Sequence, residues 1–203
     1  MALEDTVSKL DILVIGILGG PGSGKGTQCA RLEQKYLLKH ISIGDVMRAE
    51  MEREDSPYAS IIKDNMLAGR VGPKELTVGI VKQHIEEAIR KGVCTFVLDG
   101  FPRSLDQCEY FENQIAPVRQ IIVLDCPEEV LAQRLGSRGR FDDTTADNVS
   151  KRMKTFQKAT GKVVELFASK QKLATINADQ DMDAVSVLLE GTLPDSLKAR
   201  EHV

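Results

Sequence analysis

The stretch that most constrains this 203-residue chain is Gly19-Gly20-Pro21-Gly22-Ser23-Gly24-Lys25-Gly26-Thr27, which follows the apolar run Ile12 to Leu18. A branched apolar run that breaks into glycines and then into a helical pattern predicts a strand, a tight turn and a helix. Glycines let the backbone wrap closely, so that successive N–H groups converge on phosphate oxygens at the helix N-terminus. Lys25 adds a point charge for the outer phosphates. The spacing G-x-x-x-x-G-K is met from Gly19 to Lys25. Gly26 fills the place that Ser or Thr usually holds, and Thr27 comes one residue later, which argues against direct magnesium ligation by the hydroxyl in the common manner. The bland alternative, a ligand-free glycine turn, would have to meet all these constraints by accident.

Three further apolar runs, Thr95 to Leu98, Ile121 to Leu124 and Leu173 to Ile176, are rich in branched residues and show no alternation. That pattern predicts strands buried on both faces. Helical spacing runs from Lys74 to Arg90, through Leu76, Ile80, Val81, His84, Ile85 and Ala88, and from Thr144 to Lys170, through Val149, Met153, Phe156, Val163, Val164 and Phe167. Strands alternating with helices imply crossover units: an α/β fold with a parallel sheet covered on both sides. The whole of 1–203 reads as one domain, with excursions at 42–73 and 136–145.

A net charge of −3 disfavours nucleic acid and membrane surfaces as partners. With aromatics at 4% and no Trp, a stacking platform for single strands is also disfavoured. No basic-then-apolar leader precedes residue 12 and no run is long enough to span a membrane, so the expected setting is soluble and reducing, cytoplasmic or nuclear. Cys29, Cys94, Cys108 and Cys126 form no C-x-x-C pair, which argues against a structural zinc site. Cys94 and Cys126 lie at apolar segments and read as small reduced core residues.

A phosphate loop does not name a reaction. In Phe96-Val97-Leu98-Asp99-Gly100-Phe101-Pro102-Arg103, an apolar strand delivers Asp99 to the carboxyl edge of the sheet, where such folds bind ligands. Asp99 there can hold magnesium, directly or through water, and Arg103 just beyond suits an anion. Standing alone, Asp99-Gly100 would read as an ordinary turn. Asp125, followed by Pro127, reads as a helix cap. Arg48 opens a helical stretch, Arg134, Arg138 and Arg140 cluster beside Gly136 and Gly139, and Arg152 sits one helix further on. Single surface arginines are usually only solvated. Several beside glycines in a phosphate-loop chain point to a flap that closes cationic groups over phosphates.

Taken together, GGPGSGKGT (19–27), ISIGDVMR (41–48), LDGFPRSLDQ (98–107) and RLGSRGRFDD (134–143) resemble the nucleoside monophosphate kinases, over nearly the whole of Ile12 to Leu189. The resemblance implies a three-layer phosphate-loop kinase with a small monophosphate-binding excursion at 42–73 and a short lid at 136–145. It implies ATP on Gly20, Pro21, Gly22, Ser23, Gly24, Lys25, Gly26 and Thr27, with Arg134, Arg138 and the backbone of Gln180. The monophosphate falls to Ile43, Arg48, Val71, Gly100, Arg103, Gln107, Arg140 and Arg152, with Gln107 reading the base. Lys25, Arg103, Arg138, Arg140 and Arg152 become the catalytic set, with Mg²⁺ held by Asp99 through water. Asp142 and Asp143 would steady the arginines and the metal's waters.

Such chemistry needs no general base, because the attacking phosphate oxygen is already ionised. His40, His84 and His202 stand beside no motif acid in the sequence. The lid is shortened between Gly139 and Arg140 and has no cysteines for zinc. Ile43 replaces the Thr of adenylate kinases and the Ala of UMP/CMP kinases, and Gly72 replaces a Val before Pro73. The segments Arg48-Ala49-Glu50, Pro73-Lys74-Glu75-Leu76-Thr77 and Asp125-Cys126-Pro127-Glu128 look closer to the UMP/CMP branch, so UMP and CMP are the expected acceptors and AMP the alternative. A monomer binding only ATP and a monophosphate is expected. A non-catalytic nucleotide-binding module would typically lack Lys25, Asp99 or the lid arginines. A kinase for a small metabolite is disfavoured by Arg48 and Arg103, which anticipate a second phosphate.

Overall fold

The apolar run after Ile12 forms strand β1 (Leu13–Gly19), buried from Val14 onward and flanked on both sides by parallel strands. The computed structural model describes residues 12–135 and 146–199. Among them, the other strands are β2 (Lys39–Ser42), β3 (Thr95–Asp99), β4 (Val118–Asp125) and β5 (Leu173–Asn177), in the order β2-β3-β1-β4-β5, all parallel. After β1, α1 (Lys25–Lys35) leads to β2; α2 (Ile43–Glu52), α3 (Ala59–Leu67) and α4 (Lys74–Arg90) lead to β3. Next come α5 (Leu105–Gln114), β4, α6 (Glu128–Leu135), α7 (Ala146–Thr155), a π-helical turn at Phe156–Thr160, α8 (Gly161–Ser169), β5, α9 (Met182–Thr192) and α10 (Asp195–Lys198). No described helix is long and apolar enough to cross a membrane.

Alternation along the strands sends Val14 and Leu18 to one face and Ile15 and Ile17 to the other, so each face carries its own core. Val14, Leu18, Phe96 and Leu98 pack with Val81 and Ile85 of α4, Phe111 of α5 and Phe167 of α8. On the opposite face Ile15, Ile17, Val97 and Ile122 pack with Cys29 and Leu32 of α1 and Val185 and Leu189 of α9. The three-layer α/β expectation is thereby met. The segment 42–73 leaves the sheet as α2 and α3, while the lid expected at 136–145 lies outside the described residues.

Four expectations need correction. β2 has no apolar run to announce it: of Lys39-His40-Ile41-Ser42 only Ile41 is buried, because the strand is short and lies at the sheet edge. β5 is also an edge strand, and only Ile176 in it is buried, not both of its faces. The single helix expected over 144–170 is interrupted by the π-turn, where the buried Thr160 hydroxyl donates to the Arg103 carbonyl at 3.2 Å. Helical periodicity survives one extra residue, so the pattern could not reveal the break. Finally, Cys29 and Cys108 are the buried thiols, whereas Cys94 and Cys126 are only partly covered, since they sit at strand ends and not within the strands.

Gly16 marks the tightest point of the sheet. A Cβ built there would lie 2.5 Å from Ile121 Cδ1 and 2.6 Å from the Phe101 carbonyl oxygen. The Phe101 carbonyl is backbone and cannot rotate away. Gly16→Ala is therefore expected to destabilise the chain by about 1–3 kcal/mol, read as a lower urea midpoint with an unchanged slope.

Candidate active site

β1 and β3 pair directly, with Ile17 opposite Asp99, so the segments leaving both strands emerge side by side at the carboxyl edge. This is where the strand order reverses, the usual position of a ligand crevice in an open parallel sheet. The turn after β1 is held by Lys25, whose Nζ donates to the Gly19 and Gly20 carbonyls at 2.9 Å each and to Ser23 Oγ at 3.3 Å. Gly22 and Gly24 take φ of 91° and 90°, which L side chains rarely adopt. Gly24 caps α1 without a side chain, leaving the first N–H groups of the helix at the cleft.

A cleft partly open to solvent lies at this edge. One wall carries Gly19, Pro21, Gly24, Lys25 and Gly26; facing it are Arg48, Arg103 and Arg152, with Asp99 and Gly100 at the floor. Three elements deliver the arginines. Arg48 projects from α2, which begins on a Ser42 cap, and pairs with Asp45 three residues earlier. Arg103 is drawn back onto the Gly100 carbonyl at 2.8 Å, and Gly100 reaches that turn with φ 75°. Arg152 comes from α7, and the turn at Gly69 approaches the Lys151–Arg152 backbone so closely that a Cβ there would lie 3.0 Å from the Arg152 nitrogen.

Asp99 is buried, with 11% of its side chain exposed. Burial works to raise its carboxyl, but the nearby His40 imidazole, Lys25 ammonium and Arg103 guanidinium outweigh it and hold the group below its ordinary range. An ionised carboxylate fixed on the cleft floor fits a magnesium ion held through water. His40 Nε2 lies 3.7 Å from Asp99 Oδ2, because β2 pairs with β3 in a register that sets Ser42 opposite Asp99. A histidine therefore stands beside a motif acid in space, although none does in the sequence. The neighbour comes across the sheet, and nothing in the local sequence signals it.

A second recess opens beside the cleft, lined by Ile43, Met47, Ile62, Leu76 and Gly72, with Asn65, Arg70, Thr77, Arg103 and Gln107 as its polar residues. Ile43 and Gly72 both belong to it, while Val71 faces a neighbouring hollow with Pro73, Lys74 and Asp106. Gln107 is almost wholly buried and engaged with the protein. Its Nε2 donates to the Gly72 carbonyl at 3.0 Å and to Thr77 Oγ1 at 3.4 Å, and its Oε1 accepts from the Arg103 N–H at 3.2 Å. Arg70 Nε donates to Asn65 Oδ1 at 3.0 Å, so two polar residues that motif reading passed over flank the recess.

From α6, Arg134 Nη1 donates to the Ala178 carbonyl at 3.0 Å and Nη2 to the Gln180 carbonyl at 3.4 Å. Gln180 is exposed on the loop after β5, and Thr27 is exposed on the first turn of α1. Arg138, Arg140, Asp142 and Asp143 lie outside the described residues. Thr155 at the end of α7 and Phe156 and Thr160 of the π-turn line the cleft, a contribution that no motif marked. Asp125, expected as a side-chain cap, contributes its backbone carbonyl, which accepts from the Ala178 N–H at 2.7 Å.

Three of the thiols are held in the protonated form, which makes them poor nucleophiles. Burial and the Asp99 carboxylate push Cys29 well above its ordinary value, and burial with Glu112 pushes Cys108 up to about 12. Burial also raises Cys126.

The adenylate kinase family model matches residues 17–172. A uridylate kinase of Schizosaccharomyces pombe is 42% identical over 85% of this chain and 92% of its own length. A uridylate kinase of Saccharomyces cerevisiae is 36% identical over 92% and 93% of the two chains. An adenylate kinase isoenzyme 1 of Caenorhabditis elegans is 39% identical over 87% and 85%.

The depressed carboxyl of Asp99 has a consequence for stability. Its ionised form favours the fold above the ordinary Asp value near 3.9, and that contribution is lost as pH falls through the lower folded value. The gap in urea midpoint between the parent chain and Asp99→Asn is expected to be widest at neutral pH and to narrow below about pH 4.

Proposed function

The chain belongs to the adenylate kinase family, and from that premise we propose that it transfers the γ-phosphoryl group of ATP to a nucleoside 5′-monophosphate, with UMP and CMP preferred. One observation carries the reading: a phosphate-binding turn and the guanidinium groups of Arg48, Arg103 and Arg152 wall the same cleft, with an ionised carboxylate between them. A cleft built for one phosphate ester would not need cations on both walls. The uridylate kinases among the relatives support the pyrimidine preference, as does the apolar Ile43 in the recess, which cannot donate a hydrogen bond to a base.

In this reading the backbone N–H groups from Gly20 to Thr27 and the Lys25 ammonium cradle the ATP phosphates. Arg134 braces the loop at Ala178 and Gln180 against which the adenine would lie. The acceptor phosphate sits on Arg48, Arg103 and Arg152, and its base enters the recess closed by Gln107. Arg138 and Arg140, which lie outside the described residues, are proposed to add cationic charge for the phosphates. Asp99 would hold magnesium through its waters, and the ion supplies charge neutralisation across the β- and γ-phosphates. Rate enhancement then comes from positioning two anionic reactants and stabilising the charge on the equatorial oxygens. The nucleophile is a phosphate oxygen already ionised at neutral pH, so no side chain needs to remove a proton.

Adenylate kinase activity is the second reading, favoured by the Caenorhabditis elegans relative. Steady-state rates with UMP, CMP and AMP side by side decide the matter: kcat/KM is expected to be highest with a pyrimidine, and AMP as the best acceptor would overturn the preference. Arg103→Ala is expected to lower kcat/KM for the acceptor by about 10²–10³-fold, with both kcat and KM affected. Lys25→Ala should abolish coupled turnover of ATP.

A further inference from the structure

Beneath the phosphate-binding turn, Cys29 of α1, His40 of β2 and Asp99 of β3 bring a sulfur, an imidazole nitrogen and a carboxylate oxygen within 4.8 Å of one another. Three observations single this trio out. Among the described residues the buried His40 Nε2 has no partner within hydrogen-bond distance, Asp99 Oδ2 standing 3.7 Å away. Cys29 is fully buried against two polar groups where an apolar side chain of its size would suffice. The His40 backbone N–H is tied to Glu33 Oε1 at 3.1 Å, and Lys39 Nζ to the same oxygen at 2.7 Å, so the edge strand is held in the register that presents His40 to Asp99.

We propose that Cys29, His40 and Asp99 form a binding site for a thiophilic divalent cation, zinc in the first instance. A mixed S, N and O donor set selects zinc over magnesium, which prefers oxygen alone. Charge favours it too, because a thiolate and a carboxylate balance a dication and leave the buried cluster neutral. On binding, the Cys29 S–H bond is exchanged for a sulfur–zinc bond and the proton passes to solvent. His40 Nε2 and Asp99 Oδ2, at 3.7 Å, already stand at a tetrahedral edge for bonds of about 2.0–2.3 Å. The sulfur must close by roughly 1 Å to complete the face. Of the three ligands Asp99 lines the cleft, and Gly26 beside it places no side chain over the carboxylate. No spacing pattern announces the site, because its ligands come from three separate elements.

The site has a consequence that rests on the kinase reading. Zinc on Asp99 Oδ2 would neutralise the carboxylate charge that the waters of magnesium rely on, so zinc is expected to slow turnover.

Cobalt(II) titration of the full chain under nitrogen tests the binding without reference to turnover. One equivalent is expected to give thiolate-to-cobalt charge-transfer absorption with tetrahedral visible bands, bleached by zinc. Cys29→Ser should abolish the charge-transfer band. His40→Asn should weaken binding at least about 10–100-fold, the loss seen even for residues that only support metal ligands. Cys126→Ser and Cys108→Ser should leave the spectrum unchanged. Circular dichroism and thermal unfolding establish that each variant folds; should Cys29→Ser not fold, His40→Asn carries the test. Absence of the charge-transfer band in the parent, or its survival in His40→Asn at unchanged affinity, overturns the site and leaves His40 as a plain neighbour of Asp99. If cobalt binds but zinc leaves turnover untouched, the site stands and its control of Asp99 falls. If cobalt binds and no acceptor is phosphorylated, the kinase reading fails and the site stands.

Discussion

Everything at the cleft depends on β1 lying between two parallel partners. Its pairing with β3 sets Ile17 opposite Asp99, and its pairing with β4 carries the register through Gly19 to Leu124. A phosphate-binding turn alone is only a glycine-rich bend. Beside Asp99, Gly100 and Arg103 it becomes one wall of a site that already holds a carboxylate and a guanidinium. Gly16 makes this closeness achievable, because the chain returning from β3 passes where its side chain would have been.

The electrostatics follow from that arrangement. Asp99 is buried, which by itself favours the neutral acid, yet Lys25, Arg103 and His40 keep it charged. Lys25 in turn spans the carbonyls of its own loop, and Arg103 is anchored on Gly100 while its backbone is gripped by Gln107 and Thr160. The cations are therefore preorganised by short hydrogen bonds to the backbone. A chain with a net charge of −3 can concentrate positive charge locally in this way. The overall charge disfavours polyanionic partners and says little about two small ones in a cleft.

Gln107 illustrates how a residue can be placed well and still be described incompletely. Its motif position makes it a candidate for contacting a base, and it does line the recess. The structure adds that its amide joins Gly72, Thr77 and Arg103, so it shapes the recess as well as facing it. Thr160 is the reverse case. No motif marks it, yet its hydroxyl bonds the Arg103 carbonyl from a π-turn whose Phe156 also lines the cleft.

The sequence by itself determined the α/β class, the central buried strands, the helix from Lys74 to Arg90, the glycine-rich turn after β1 and the acid–arginine segment after β3. These are local signals: branched apolar runs, 3.6-residue spacing and glycines between them record what each segment must bury or bend around. Only the tertiary structure decided that Lys39–Ser42 is a strand, that His40 and Cys29 stand beside Asp99, and that the helix after residue 146 breaks at a π-turn. The physical reason is the same in each case. An edge strand buries too little to need an apolar run, and contacts between strands arise from register across the sheet. Register is set by the whole of the packing, so no short stretch of the chain carries it.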